Sequence, residues 1–426
     1  MSAATAGRET PTGCSSVSSD ARAGSASETL PSAAASVRRR TTGAVVRVAH
    51  ISDTHLGYSR YAKLCPETSR NQREVDVREA YRRAVEEILR REVDLVVHSG
   101  DVFDTIRPAT HVIIDFLRQT DRILREGIPY YGIAGNHETP RLRSTTAALE
   151  YANMLGARFA HGYEPVYDST QAGETTVGLA LVPHGAVLDR DLVVSPDPAA
   201  EINIMVTHGT VPGLRIHGHE LGDVDLTPGV LDQGFDYVAL GHYHKHHRHN
   251  HNSYYAGATE RFSFAEADFE TGFVILDFSG GEVRVEHVPL PARPMLDLPK
   301  IDARGLSGPE LTEEIRRRAE SVELNGAIVR LKVVNAPAGS EVDRELLREL
   351  RSRCLNFSLE ISAAETAPEA AGEPAATAFG PLEEELRSFV EIRRERGELE
   401  KEFAAEFLER GVEYLRSAAE EERAAS

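Results

Sequence analysis

The sequence has no tryptophan, four methionines, three cysteines and only five lysines among its 48 basic residues. Cys14, Cys65 and Cys354 are far apart and form no CxxC pair. This excludes a disulfide framework and a thiolate zinc site and suits a reducing cytoplasm. No stretch approaches the roughly 20 apolar residues that a membrane-spanning helix requires. Residues 1–44 also lack the apolar centre of a secretory signal. Positive charge is scarce: 67 acidic against 48 basic residues give a formal charge of -19. A protein that coats nucleic acid by bulk positive charge is thereby excluded, and any contact with DNA has to be local.

What is present is 426 residues, 41% of them hydrophobic, enough for two or three domains. Residues 1–44, rich in Ala, Ser, Thr and Gly and without hydrophobic periodicity, read as disordered. From Val45 apolar runs alternate with amphipathic stretches, an α/β pattern. Strands are expected at Val45 to Ser52, Asp94 to Gly100, Ile128 to Gly135, Ile202 to Thr207 and Phe235 to Gly241. Helices are expected near Val77 to Arg91 and Ala109 to Glu126, and an antiparallel meander over Ser253 to Ala256, Gly272 to Phe278 and Glu282 to Pro289. Residues 291–362 read as a small separate α+β module, 363–381 as an Ala-, Glu- and Pro-rich linker, and 382–426 as a helix pair. In that pair Leu386, Phe389, Phe403 and Phe407 belong to an apolar stripe that so small a unit cannot bury alone, which implies a partner.

All 17 histidines fall between His50 and His287. Histidine is the commonest metal ligand, so this crowding marks where the chemistry lies. Each of the five apolar runs ends in side chains that ligate metals: Asp53-Thr54-His55, Gly100-Asp101-Val102-Phe103-Asp104, Gly135-Asn136-His137-Glu138, His208, and Gly241-His242-Tyr243-His244. Sites in α/β sheets form outside the carboxyl ends of strands, so these motifs can converge on one crevice. Period-two alternation is expected to put Asp53 on the side of His55, and His242 on the side of His244. The glycines before Asp101, Asn136 and His242 are expected to permit sharp turns. Asp53, His55, Asp101, Asn136, His208, His242 and His244 make seven donors, too many for one ion and about right for two if a carboxylate bridges. Two cations roughly 3.5–4 Å apart form the clamp that hydrolyses phosphate esters. Oxygen and imidazole donors without thiolate favour manganese, iron or zinc.

In this order, Asp-x-His, Gly-Asp-x-x-Asp, Gly-Asn-His-Glu, His and Gly-His-x-His resemble the calcineurin-like metallophosphoesterase signature, over about residues 47–290. Ile51 to Gly57, Gly100 to Thr105, Ala239 to Lys245 and Gly257 to Arg261 resemble, more narrowly, the SbcD and Mre-eleven family of DNA-end nucleases. The resemblance implies a four-layer β-sandwich flanked by helices at 45–290 and a capping domain at 291–362. It also implies that 382–426, through Leu386, Phe389, Phe403 and Phe407, docks on the base of an SbcC-type coiled-coil ATPase. Asp53, His55, Asp101 and His244 would hold one ion, and Asp101, Asn136, His208 and His242 the other, with manganese the first choice. The implied activity is two-metal phosphodiester hydrolysis at DNA ends by a cytoplasmic homodimer, as 3′-to-5′ exonuclease on duplexes and endonuclease on single strands. His137 is implied as a hydrogen-bond or proton donor, with Glu138 orienting its ring. Asp104 stands where archaeal and eukaryotic relatives have histidine, so His137, Asp104 and water remain candidates for the leaving-group acid.

Lys245, His247 and Arg248 follow the last donors and are candidates for DNA phosphate contacts, against the reading of a solvated polar turn. Arg261 is a candidate for the rim of the site or for a salt bridge with Glu260. His98, inside an apolar run, reads as a core histidine, and His217 and His219 as loop residues. Two other functions fit the motifs: a phosphatase or phosphodiesterase for small molecules or phosphoproteins, and a non-catalytic scaffold for the ATPase. The capping module and tail count against the first, and the complete donor set against the second.

Overall fold

A computed structural model describes residues 45–140, 145–216, 219–220, 226–337, 339–363 and scattered positions from 386 to 414. Residues 1–44, the linker beyond Ala363, His217, the side chain of His219 and Phe403 lie outside the described residues. The chain divides into two compact units. The first holds the described residues up to Ile301 together with Gly308–Val333 and Glu341–Glu360. The second holds Asp302–Ser307, Val334–Ser340 and the described residues from Ile361 onward.

Four parallel strands open the first unit: β1 (Val46–Ile51), β2 (Leu95–His98), β3 (Tyr130–Ile133) and β4 (Arg158–Ala160). Between them run α1 (Gln72–Arg90), α2 (Thr110–Arg125) and α3 (Glu150–Leu155). A second sheet follows with β5 (Val166–Ala172), β6 (Thr175–Val182), α4 (His184–Val187) and β7 (Ile202–His208). After a two-stranded hairpin of β8 (Arg215–Ile216) and β9 (His219–Glu220) come α5 (Pro228–Leu231), β10 (Tyr237–Gly241), β11 (His247–Arg248) and β12 (Ser253–Tyr255). The chain then returns to the first sheet as the hairpin β13 (Gly272–Ser279) and β14 (Glu282–Pro289). The sheet orders are β14-β13-β1-β2-β3-β4 and β11-β12-β10-β7-β6-β5.

The central strands read as continuous apolar runs because both of their faces are buried. Val46, Val48, Leu95, Val97 and Ile133 meet Leu179, Leu181, Ile204, Val206 and Tyr237 between the sheets. Ala49, Ile51, Val96 and Tyr130 face away from that interface and pack under α1 and α2 through Val77, Tyr81 and Phe116. On the other side Val182, Met205, Val238 and Leu240 meet Ala186, Val187, Val230 and Leu231 of α4 and α5. The result is helix, sheet, sheet, helix: the four-layer α/β sandwich expected from the motifs.

Two expectations need correction. Of the three segments of the supposed meander, the last two pair antiparallel as expected, but the first does not join them. β12 lies parallel to β10 in the second sheet, whereas β13 and β14 extend the first. Alternation within a strand carries no information about which sheet it joins. Second, α1 starts at Gln72, five residues before the apolar periodicity at Val77. Asn71 caps it by accepting from Arg73 N at 2.9 Å, and its first turn buries Arg73, which hydropathy reads as exposed. The strands β4, β5 and β6 were not among the runs singled out from sequence.

Further along the chain, β15 (Met295–Asp302), α6 (Gly308–Glu320), β16 (Ile328–Ala336), α7 (Arg344–Arg353) and β17 (Asn356–Ala363) give a three-stranded sheet ordered β15-β16-β17. Leu311, Ile315, Ala319, Leu346 and Leu350 are the buried helical residues. In the second unit Val390, Ala404 and Val412 are buried and Leu386 lies against Gly411, while Phe389 and Phe407 are 51% and 44% exposed. No helix among the described residues is long and apolar enough to cross a membrane.

His50 on β1 is wholly buried between the sheets, with Nδ1 3.0 Å from Tyr237 Oη and Nε2 2.8 Å from Ser99 Oγ. Burial pushes its pKa from 6.5 down to about 3, helped by the neighbouring imidazole of His98. Between those values the unfolded chain binds a proton that the folded one refuses. The stabilisation is therefore complete above pH 6.5 and declines as pH falls, at up to about 1.4 kcal/mol per pH unit for this group. Urea unfolding of metal-free protein between pH 7 and 5 should show a shallower decline in His50→Gln than in wild type; an unchanged slope would contradict the assignment.

Candidate metal centre

Five strands end at one edge of the sandwich; His208 is the last residue of β7, and the loops beyond the other four carry the remaining donors. The way the donors face one another differs from strand alternation. Asp53, His55, Asp101 and His242 all adopt positive φ, at 49°, 42°, 52° and 100°. Asp53 and His55 share a site because two left-handed residues coil the chain after β1, not because an extended strand projects both to one side. Such conformations persist only where surroundings impose them. Here Asp53 N donates to Gly100 O at 3.1 Å and His55 N to Asp101 O at 2.9 Å. The glycines also divide in role. Gly100 turns the chain at φ 95°. Gly135 and Gly241 instead permit close approach: a Cβ would stand 2.1 Å from Asp101 Oδ1 and 2.0 Å from Ser99 O respectively.

Asp101 is central. Its Oδ1 accepts from His137 N at 3.0 Å, and its Oδ2 lies 3.6 Å from His55 Nε2 and 3.4 Å from His208 Nε2. His55 Nε2 faces His244 Nε2 at 3.2 Å. Asp53 is held by the Ser52 hydroxyl at 2.6 Å and by His242 N at 3.0 Å. Asn136 Oδ1 stands 2.9 Å from His208 Nε2 and 3.2 Å from His242 Nδ1. Asp53, His55 and His244 form one group of donors within 4.8 Å of one another, and Asp101, His208 and His242 a second. His55 and Asp101 also form a group with His137.

The hydrogen bonds test whether cations fit. His208 Nδ1 lies 2.8 Å from the Ser99 carbonyl, which accepts its proton. The Nε2 lone pair then faces Asn136 Oδ1 and Asp101 Oδ2, which are acceptors too. A cation or an added proton must reconcile them. With no cation present, burial lowers the affinity of His208 for a proton but Asp101 more than compensates, raising its pKa to about 9. His244 reaches about 9 in the same way, burial being outweighed by Glu266. Burial alone would raise the pKa of Asp101, but the charge and hydrogen bond of His208, with the neighbouring His55 and His137, together hold it well below the usual carboxylate range. His242 is pushed down to about 3 by burial and by His208. One protonated histidine thus stands in each group, in the place of a positive ion. The oxygen and nitrogen donors suit a divalent transition metal.

His137 is 39% exposed at its side chain, and its Nδ1 donates to the main-chain carbonyl of Asp104 at 2.9 Å, so Nε2 is the nitrogen left for chemistry. Glu138 does not orient that ring. Its carboxylate, 2% exposed, accepts from Phe103 N at 2.7 Å and Gly135 N at 2.8 Å and ties two donor loops together. Burial and the charge of Asp101 push its pKa up to about 8. The carboxylate of Asp104 lies between two rings, 3.5 Å from His55 Nδ1 and 3.9 Å from His137 Nδ1.

The suggested DNA-contacting residues are not in the donor cluster. Lys245 is exposed, with Nζ 5.2 Å from the Phe269 ring centre. His247 and Arg248 form the edge strand β11, and Arg248 lies over Tyr254 at 5.6 Å. Arg261 Nε donates to Phe269 O at 2.9 Å. The ion pair of Glu260 is with the buried Arg73 at 3.3 Å, and from Arg261 its carboxylate accepts the main-chain N–H at 2.8 Å. His98 is buried in the core with Nε2 3.2 Å from Thr54 Oγ1, as expected. Sequence reasoning missed Ser52, Phe262 and Glu266, and also His184, whose ring centre is 6.3 Å from that of His208. Nothing in the sequence around Phe262 or Glu266 signals a metal.

Residues 46–246 match the family described as calcineurin-like phosphoesterase. Members of that family use divalent metals, in accord with the donor groups that lie within this stretch. The chain is similar to DNA double-strand break repair protein Mre11 of Methanopyrus kandleri, at 27% identity over 73% of this chain and 70% of that protein. The Haloferax volcanii Mre11 is 30% identical over 67% of this chain and 60% of its own length. That of Saccharolobus solfataricus is 28% identical over 47% and 50%. The chain thus spans from half to 70% of these relatives.

At neutral pH a cation entering this centre must displace protons from His208 and His244, because both are raised to about 9. Calorimetric titration with Mn2+ at pH 7.5, in two buffers of different ionisation enthalpy, should report proton release and affinity that rises toward pH 9. Buffer-independent heats would contradict this protonation scheme.

Proposed function

We propose that the chain is a metal-dependent nuclease that processes DNA double-strand breaks. The observation that carries this reading is the pair of donor groups meeting at one carboxylate, Asp101. In it Asp53, His55 and His244 hold one cation and Asn136, His208 and His242 the other, with Asp101 shared and manganese as the first candidate. Bound cations lower the pKa of water and neutralise charge on a phosphodiester. The residues of the chain do the remainder. Ser52 and the amide of His242 aim Asp53, Ser99 fixes the tautomer of His208, and the main-chain carbonyl of Asp104 aims His137. His137 Nε2 is then the group that donates a hydrogen bond or proton to the departing oxygen. The Asp104 carboxylate stays beside both rings as the alternative acid.

The names of the relatives support double-strand break repair as the setting. In this reading the activity is 3′-to-5′ exonuclease on duplexes and endonuclease on single strands, within the cytoplasm at the nucleoid. Lys245, His247 and Arg248 approach phosphate from the turn after His244, and Arg261 braces the rim. Residues 291–362 cap the nuclease domain at 45–290. Residues 382–426 dock on an SbcC-type coiled-coil ATPase through Leu386, Phe389, Phe403 and Phe407, a role favoured by the exposure of Phe389 and Phe407. Homodimerisation is favoured by the exposed Ile114, Tyr151, Met154 and Leu155 on the neighbouring helices α2 and α3.

Purified protein with Mn2+ should shorten a labelled linear duplex faster than it hydrolyses a generic phosphate monoester. Turnover of the monoester alone would indicate a phosphatase instead, and inactivity on both with retained ATPase binding a scaffold. Asp101→Ala should abolish turnover, because both cations lose their shared ligand; full activity in that variant would exclude the assigned centre. Removing residues from Leu382 onward should spare cleavage of short substrates and abolish co-purification with the ATPase, whereas persistent co-purification would place the docking surface elsewhere.

A further inference from the structure

Apart from Arg261, the segment from Glu260 to Glu266 is unused by the function proposed above, yet it packs directly on the centre. The Phe262 ring meets that of His55 at 4.7 Å and 63° and that of His244 at 5.2 Å and 69°. Tyr58 Oη donates to Phe262 O at 2.6 Å. One residue earlier, the carbonyl of Arg261 accepts from Arg73, a guanidinium 1% exposed and paired with Asp76 at 3.0 Å and Glu260 at 3.3 Å. Glu266, whose side chain is 12% exposed, closes the segment. Its Oε2 accepts from Phe262 N at 2.8 Å, and its Oε1 accepts from Ser263 Oγ at 2.9 Å. That same Oε1 lies 3.2 Å from His244 Nδ1.

We propose that Glu266 is a positioning residue for the metal centre: it accepts the Nδ1 proton of His244 and so reserves Nε2 for the cation shared with Asp53 and His55. The inference rests on the two-cation reading. A carboxylate on the far nitrogen of a ligating histidine fixes its tautomer, restrains its rotation and raises its basicity. The anchoring of the segment makes the device rigid. Glu266 cannot drift from His244 without breaking its bond to Phe262 N, and the Phe262 ring blocks rotation of both imidazoles from one side. Because this carboxylate meets the centre at His244, a ligand of one cation only in that reading, its effect falls on that cation.

Titration of the full-length protein with Mn2+ by calorimetry tests this. Wild type should bind two ions. Glu266→Ala should weaken one of them by about 10- to 100-fold and leave the other unchanged. Glu266→Gln, whose amide oxygen still accepts from Nδ1, should recover part of the loss. Ser263→Ala removes a contact to the same carboxylate without touching His244, and should bind both ions as wild type does. The proposal is overturned if Glu266→Ala keeps both affinities, if both weaken equally, or if Ser263→Ala loses as much as Glu266→Ala. Melting of the metal-free variants identifies misfolding; should Glu266→Ala fail to fold, weaker binding of one ion by Glu266→Gln than by Ser263→Ala supports the proposal and equal binding overturns it. A wild type that binds no Mn2+ would remove the two-cation reading itself, an outcome distinct from the others.

Discussion

The arrangement depends on how closely three strand ends approach. Gly241, at the end of β10 in the second sheet, lies so near the Ser99 carbonyl of the first sheet that no side chain fits between them. Gly135 stands equally close to the carboxylate of Asp101. These contacts bring His208 and His242 from one sheet to Asp101 and Asn136 from the other. Apolar burial between the sheets drives their association but is not directional. The bare backbone at Gly135 and Gly241 sets the distance, and with it whether Asp101 Oδ2 can serve two sets of donors.

Such crowding concentrates charge in a place from which water is largely excluded. Burial opposes the ionisation of both Asp101 and Glu138, and the two carboxylates disfavour each other's charge. His208 and His244 respond by holding protons. An uncompensated set of buried carboxylates would be costly, so the fold is suited to positive charge at this edge whether it comes as protons or as cations. This also bears on the acidic composition. A formal charge of -19 describes the chain as a whole, whereas the electrostatics of the centre are set within a few ångströms by groups from five loops.

Much was legible because the donors obey local rules. Strands buried on both faces appear as apolar runs, and the residues following such runs sit at a sheet edge, so Asp53, Asp101, Asn136, His208 and His242 could be picked out by place as well as type. The same logic failed where a property was not local. Arg73 is buried between Asp76 and Glu260, the second of them 187 residues away, so the first turn of α1 read as polar and exposed. The partner of β12 was misread since its neighbour β10 is parallel, and pairing of that kind leaves no turn in the sequence between the two strands to announce it. Glu138 looked like a partner for His137 because it is next to it, yet consecutive residues point apart and its carboxylate turns inward to two main-chain amides.

The sequence by itself determined the chemistry available: which side chains carry donors, that they follow apolar runs, and that thiolates are not among them. It also determined the α/β class, through periodicities that each strand and helix carries alone. Tertiary structure decided how the donors meet. The left-handed turns at Asp53, His55 and His242, the tautomer of His208 set by the Ser99 carbonyl, and the placement of Glu266 on His244 all require contacts between segments far apart in the chain. A side chain's identity is written at its position, but its direction is set by whatever the fold packs against it.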